Sequence, residues 1–236
     1  MGILYNRFTT PPANYSLLPY SNQSKVITYA TDDNFDENNP DSWGSGVAPI
    51  VGSWFRDTDY ISSNIIDNRI TNTTAIGNAF TIYEVLHQGS TSPEASTPSY
   101  NPNIYVLRQG ADSNNAIFFP IVSSTKFNYG FAEISNLNCG MRTNATPLHV
   151  TAYAYEYSPN SREASQYARC NGVSVSNTRT YSSDVTIQAV RFTGRTSNND
   201  RFRRFYKFIA VVAEKESASV IANNMAHLKD YYSAEY

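Results

Sequence analysis

Three groups of side chains in this 236-residue sequence have the types that binding or chemistry requires. The first is the acidic run Asp32, Asp33, Asn34, Asp36, Glu37, Asn38, Asn39 and Asp41. Hard cations take several carboxylate and carbonyl oxygens, and this run supplies them. It departs from the EF-hand pattern, with Glu37 where that loop needs glycine and Trp43 where it needs a bidentate glutamate. Asp32, Asp36 and Asp41 are the candidate cation ligands. The plainer reading is a solvated turn, or an acidic patch for a partner.

The second group is basic and aromatic. Arg191, Arg195, Arg201, Arg203, Arg204 and Lys207 alternate with Phe192, Phe202, Phe205, Tyr206 and Phe208. Single-stranded nucleic acid is held by such mixtures of cation and ring. The chain as a whole is acidic, with a net charge of −2, so the electrostatic footprint is weak and nucleic acid is disfavoured. The arginines are expected to meet acidic groups of a neighbouring copy. Charge is unevenly placed: residues 1–118 sum to −6 and residues 119–236 to +4. That polarity suits head-to-tail contact between copies, or two faces of a solvated monomer.

The third group could run hydrolysis. Glu84, Glu133 and Glu156 lie in or beside apolar alternating runs, and a glycosidase needs two carboxyls facing one another across a groove. His87, His149 and His227 fall in no metal-ligand spacing, and no glycine-rich phosphate loop or Gly-x-Ser-x-Gly elbow is present. Cys139 and Cys170 match no metal or redox motif. They read as a pair or as two buried thiols, and synthesis in a reducing cytoplasm favours the thiols.

The elements that must carry these groups are strands. The chain holds 18 Tyr, 12 Phe and 3 Met, and Asn, Ser and Thr separate its apolar runs, a mixture suited to pleated strands and side-chain-bonded turns. Strands are expected near 25–30, 50–55, 60–66, 79–86, 104–108, 116–122 and 127–134. Residues 148–157 alternate most clearly, with Leu148, Val150, Ala152 and Ala154 on one face and His149, Thr151, Tyr153, Tyr155 and Tyr157 on the other. Further strands are expected over 184–193, with Val185, Ile187 and Ala189 on one face, and over 205–213. Only the end reads as a helix, capped by Ser217, with Val220, Ile221, Met225 and Leu228 as its apolar stripe. Many short strands and one terminal helix predict an all-β, antiparallel two-sheet β-sandwich of jelly-roll type over residues 25–215, followed by a helical tail over 216–236.

Residues 1–24 read as an extended arm. Pro11, Pro12 and Pro19 deny it a ladder or helix, yet Tyr5, Phe8, Tyr15, Leu17, Leu18 and Tyr20 make it too apolar for a free tail. It should lie along a neighbour or along its own domain, with Tyr5, Phe8, Tyr15 and Tyr20 as contact residues. Tyr157, beside the Ser158–Pro159 turn, is a further candidate contact.

Charged residues make up 16% of the chain, below the usual quarter, so Asn, Ser, Thr and Tyr must cover much of the surface. Such a coat packs against neighbours at little desolvation cost. No run approaches the roughly 18 apolar residues of a membrane span, and the first residues lack the charged start and apolar run of a signal peptide. In its arm, its Asn/Ser/Thr-rich loops and its late aromatic strands the chain resembles the β-sandwich structural proteins of phage and virus particles: capsid, cement or decoration, and tail or fibre proteins. That resemblance implies a virion protein made in the host cytoplasm. It would have no enzymatic activity and no cofactor, and its partners would be copies of itself and other particle proteins. The alternative is a receptor- or glycan-binding module, for instance for a host-surface glycan; a polysaccharide hydrolase ranks third.

Overall fold

The computed structural model describes residues 16–63, 68–70, 76–88, 104–109, 116–123, 126–131, 134–141, 148–170, 172–192 and 204–233. They form two eight-stranded antiparallel sheets and one long helix. In the first sheet, β14 (Val173–Thr180), β13 (Glu163–Cys170), β12 (His149–Ser158), β7 (Ala79–Gln88), β16 (Arg204–Val212), β5 (Tyr60–Ser62) and β4 (Phe55–Asp57) lie in that order. Strand β1 (Val26–Thr31) also pairs with β16. The second sheet runs β11 (Ile134–Met141), β10 (Lys126–Phe131), β9 (Ala116–Ser123), β8 (Ile104–Gln109), β15 (Thr186–Phe192), β6 (Asn68–Ile70), β3 (Ile50–Val51) and β2 (Ser42–Trp43). Helix α1 spans Ala218–Tyr232.

The first sheet is covered on both faces. Phe80, Ile82, Tyr153, Tyr155, Tyr157, Ile209 and Val211 point into the core shared with the second sheet. The alternate residues Tyr83, Val85, Val150, Ala152, Ala154, Phe208, Ala210 and Val212 form a second core with Ile221, Met225 and Leu228 of α1. A strand buried on both faces has no polar side to show, which is why 205–213 is almost continuously apolar. Ala152 and Ala154 are small where a helix must approach. Burying each of Ile221, Met225 and Leu228 contributes about 1.5–3 kcal/mol.

Two bulges adjust this alternation. Tyr206 belongs to the inter-sheet core and Phe208 to the core under α1, although they are two residues apart. The register against β7 shifts between them, and this bulge turns the strand over. Likewise β15 shifts between Ile187 and Ala189, so Val190 and Phe192 join Val185 and Ile187 in the inter-sheet core. The side chain of Ala189, expected beside Val185 and Ile187, lies outside the described residues.

The last part of the expected arm packs on its own domain. Leu17 and Leu18 are 2% and 0% exposed beneath α1, while Tyr20 is 55% exposed. A buried amide holds the segment there. Asn224 Oδ1 accepts from the Tyr20 amide (3.1 Å), and its Nδ2 donates to Ser21 Oγ (2.8 Å) and to the Tyr83 hydroxyl (3.1 Å). Tyr83 in turn donates to the Glu216 carboxylate. Tyr5, Phe8 and Tyr15 lie outside the described residues.

Tyr157 is 3% exposed, so it is no surface contact: its ring meets Tyr181 edge-on, and its hydroxyl accepts from the Val185 amide (3.2 Å). Cys170 is disulfide-bonded, which corrects the expectation of free thiols; Cys139 is the only other cysteine of the chain. No helix among the described residues is long and apolar enough to cross a membrane.

Replacing Asn224 with Ala strands the Tyr20 amide and takes a donor from the Tyr83 hydroxyl, which keeps its bond to Glu216. It should lower unfolding free energy by about 2–3 kcal/mol, whereas Ala at the exposed neighbour Asn223 should change it by about 0.5 kcal/mol or less. Denaturant midpoints of the two variants check this, and equal midpoints would contradict the bridging role.

Candidate ligand-binding clefts

The sequence-derived candidates do not assemble into one site. Asp32 is spent on Lys207: the carboxylate meets Nζ at 2.7 Å, both side chains are 16% exposed, and Nζ also lies 4.7 Å from the Tyr60 ring centroid. Asp36 accepts from the backbone and side-chain amides of Asn38 (2.9 and 3.2 Å). Asp41 offers its backbone oxygen to the Gly52 amide. These three carboxylates do not converge, and among the described residues no group of three or more His, Cys, Asp or Glu could hold a metal ion.

Arg191 stands in β15 of one sheet and Arg204 in β16 of the other. Arg195, Arg201 and Arg203 lie outside the described residues, as do the side chains of Arg191 and Arg204. The carboxylates proposed for hydrolysis are separated as well. Glu84 is 1% exposed, shares a face with Phe80 and Ile82, and accepts from Thr151 (3.3 Å). Glu156 alternates with the inward Tyr155 and Tyr157, so its exposed carboxylate leaves from the opposite face. Glu133 lies outside the described residues. His149 is buried; His227 is half-buried, and burial lowers its pKa against the opposing effect of Asp230.

The described residues instead form a cleft at each of the two ends of the first sheet. The larger, of about 450 Å³, lies where α1 stops covering β13 and β14. Paired strand positions bring Ser165 opposite Thr178 and Tyr167 opposite Ser176, so one outer face carries four hydroxyls. Gln166, Asn177, Lys215, Glu216, Ser217 and Ala218 complete the lining. Tyr167 is half-buried, its ring braced by the core beneath α1. Gln166 accepts from Tyr153 (3.4 Å), and no described residue binds its amide nitrogen.

The helix supplies the cleft's other wall. Ser217 caps it by accepting from the Val220 amide (3.3 Å), and no acidic residue stands in the first turn to offset the positive end of the helix dipole. Lys215 donates to Ser165 and lies 4.0 Å from Glu156. At the base is Glu216, 6% exposed, its amide bonded to Thr81 (2.9 Å) and its carboxyl to Tyr83. Burial raises its pKa, outweighing the hydrogen bonds from Ser21 and Tyr83 that lower it. Hydroxyls, one braced ring and one ammonium make a surface of donors and acceptors with little net charge. Sequence reasoning missed it because β13 carries no β-branched residue and β14 interrupts its Val and Thr with Ser, Asn and Arg. The alternating Val173-Ser174-Val175-Ser176 was the available signal.

The second cleft, of about 370 Å³, has aromatic walls and a polar rim. Phe35, Trp54 and Phe55 line it with Pro40, and Glu37, Arg56 and Thr58 stand at its rim. Trp54 is 2% exposed and edge-on to Trp43 and Tyr206, and its indole N–H has no acceptor among the described residues. Arg56 is fixed over the Phe35 ring by Glu37 (2.9 Å) and by the backbone oxygen of Asp32 (3.0 Å). Thr58, in the turn between β4 and β5, has φ 59°, a left-handed conformation rare for a β-branched residue.

Comparison with known proteins adds an architecture. A sialidase of Trypanosoma rangeli superposes with a TM-score of 0.57 at 9% identity, over 91% of this chain and 34% of that one. The same enzyme bound to the inhibitor DANA gives 0.58 at 12% identity, over 87% and 33%. The likeness is one of fold. This chain spans about a third of the sialidase's length. The binding domain of botulinum neurotoxin serotype D/C aligns more loosely, at 0.49 and 9% identity over 87% of this chain and 52% of that one, and nothing is argued from it. No protein-family model and no curated protein matches the sequence.

The buried carboxyl under the larger cleft gives a pH signature. Its folded-state pKa is raised, so its contribution to stability is complete below the ordinary value of 4.5 and is lost as pH rises through the raised value. In Glu216→Gln that loss is absent. Thermal midpoints of both proteins between pH 4 and 8 should therefore diverge in favour of the variant as pH rises, and a constant offset would contradict the assignment.

Proposed function

We propose that this β-sandwich is a carbohydrate-binding module, and that the cleft between the β13–β14 face and the start of α1 receives the sugar. One observation carries the reading: a cleft of about 450 Å³ in which hydroxyls and an ammonium surround one half-buried tyrosine ring. Sugars present hydroxyls that donate and accept at once, together with a ring face of C–H groups. Ser165, Ser176, Thr178 and Ser217 match hydroxyls in both senses. Lys215 offers donors only, and the Tyr167 ring offers a face for stacking.

The near absence of net charge around the cleft favours neutral sugars over strongly anionic ones. The rigid strands hold these groups in place before the ligand arrives, which spares ordering entropy. The similar structures include a sialidase in complex with sialic acid, which supports sugar binding as a use of this fold and leaves the ligand to the cleft's own chemistry. A disulfide-bonded Cys170 is in keeping with a module that meets its ligand outside the reducing cytoplasm. The particle-component reading rests on the texture of the sequence.

A glycan array probed with the full chain should give hits, and titration calorimetry with a hit should give a measurable affinity. Tyr167→Ala should weaken it at least tenfold. Ser176→Trp, which fills the cleft from an exposed strand position, should abolish it while leaving the thermal midpoint unchanged. A silent array, or unchanged affinity in both variants, would refute the proposal.

A further inference from the structure

We propose that the aromatic-walled cleft formed by Phe35, Trp54 and Phe55 receives the proline-bearing N-terminal segment, residues 5–15, of a second copy of this chain. The cleft lies at the β4 end of the first sheet, six strand positions from the sugar cleft at β14, and the proposal is independent of sugar binding.

Three properties of the cleft select its occupant. Aromatic walls and Pro40 favour an apolar, extended chain that gives up little entropy on docking, which is the character of proline-rich peptide. The Trp54 indole N–H has no acceptor among the described residues, and a buried donor in that state costs about 1–3 kcal/mol. Extended proline-bearing chain has carbonyls that no internal hydrogen bond uses, and docking that turns the 2%-exposed Trp54 ring toward them supplies the missing acceptor. Arg56, held rigid by Glu37 and Asp32, presents its remaining guanidinium nitrogen to the same kind of acceptor.

The charge of the rim is the third property. Glu37 stands on it, Asp57 and Asp59 flank Thr58, and Asp36 and Asp41 lie on either side of Pro40. Residues 1–15 contain Arg7 and no acidic residue, and place Phe8, Pro11 and Pro12 within five positions of one another. Leu17 and Leu18 anchor the next residues under α1. Fifteen residues reach at most about 50 Å, enough to cross to a neighbouring domain.

The test uses the full chain. Sedimentation equilibrium should show concentration-dependent self-association, and a synthetic peptide of residues 1–15 in excess should dissolve it. An arm variant, Phe8→Ser with Pro11→Ser and Pro12→Ser, should associate at least tenfold more weakly, and so should the cleft variants Phe55→Ser and Arg56→Ala. Mixing the arm variant with the Phe55→Ser variant restores one intact arm facing one intact cleft, so mixed dimers should form where neither variant associates alone. A full chain that stays monomeric at high concentration overturns the proposal. So does association insensitive to the peptide, or variants that cannot complement one another, the result expected if the segment folds back on its own copy. Sugar binding by the same variants should be unchanged, so failure here is separable from failure of the carbohydrate reading.

Discussion

The first sheet has apolar side chains on both faces, and almost everything else in the molecule follows from covering it twice. The second sheet covers one face through Phe80, Tyr153, Tyr155 and Val211. Helix α1, with Leu17 and Leu18, covers the other. Helix and leader are held in register by a buried polar chain that runs from Ser21 through Asn224 and Tyr83 to Glu216. Within a low-dielectric core each of these groups needs the next, so the chain specifies one position for the helix along the sheet. Where the helix begins, its cover ends, and the hydroxyl-bearing face of β13 and β14 is left open to solvent. The larger cleft is therefore a consequence of how the second core is closed.

Local adjustments let that plan work. The bulge at Lys207 turns β16 over between Tyr206 and Phe208, so one strand serves both cores. The bulged lysine finds Asp32 at 2.7 Å. Gly46, at φ 115°, lets the loop after β2 press against β1, where a Cβ would sit 2.4 Å from the Ile27 carbonyl oxygen; the adjoining Ser45 exchanges two backbone hydrogen bonds with Tyr29 and closes that edge. The acidic run that looked like a cation loop instead forms a capped turn, in which Thr31 and Asn34 bond reciprocally. Its charges serve Lys207 and Arg56.

Much of the architecture was legible in the sequence. Residues 148–157 alternate so regularly that β12 and both its faces could be assigned, because small residues under the helix and tyrosines toward the second sheet differ in size and polarity. The Ser217 cap and the stripe Ile221, Met225 and Leu228 were equally plain. Less legible were β13 and β14, whose outer face carries hydroxyls in place of apolar side chains and so lacks the hydrophobic alternation of a core strand. The bulges at Gln188 and Lys207 were invisible, since period-two reading assumes an unbroken pleat. Asn224 was passed over because a polar residue on an apolar stripe reads as exposed until its partners, some 140 and 200 positions away, are known. Tyr157 misled for the opposite reason: its place next to a turn suggested exposure, and the Tyr181 ring closes over it.

The central claim is that sugar sits between the β13–β14 face and the first turn of α1. Backbone amide chemical shifts recorded by NMR while an oligosaccharide identified on the array is added would test it most directly. The account predicts that the largest changes cluster at residues 165–167, 176–178 and 215–218. Changes confined to other surfaces, or none at saturating sugar, would contradict it.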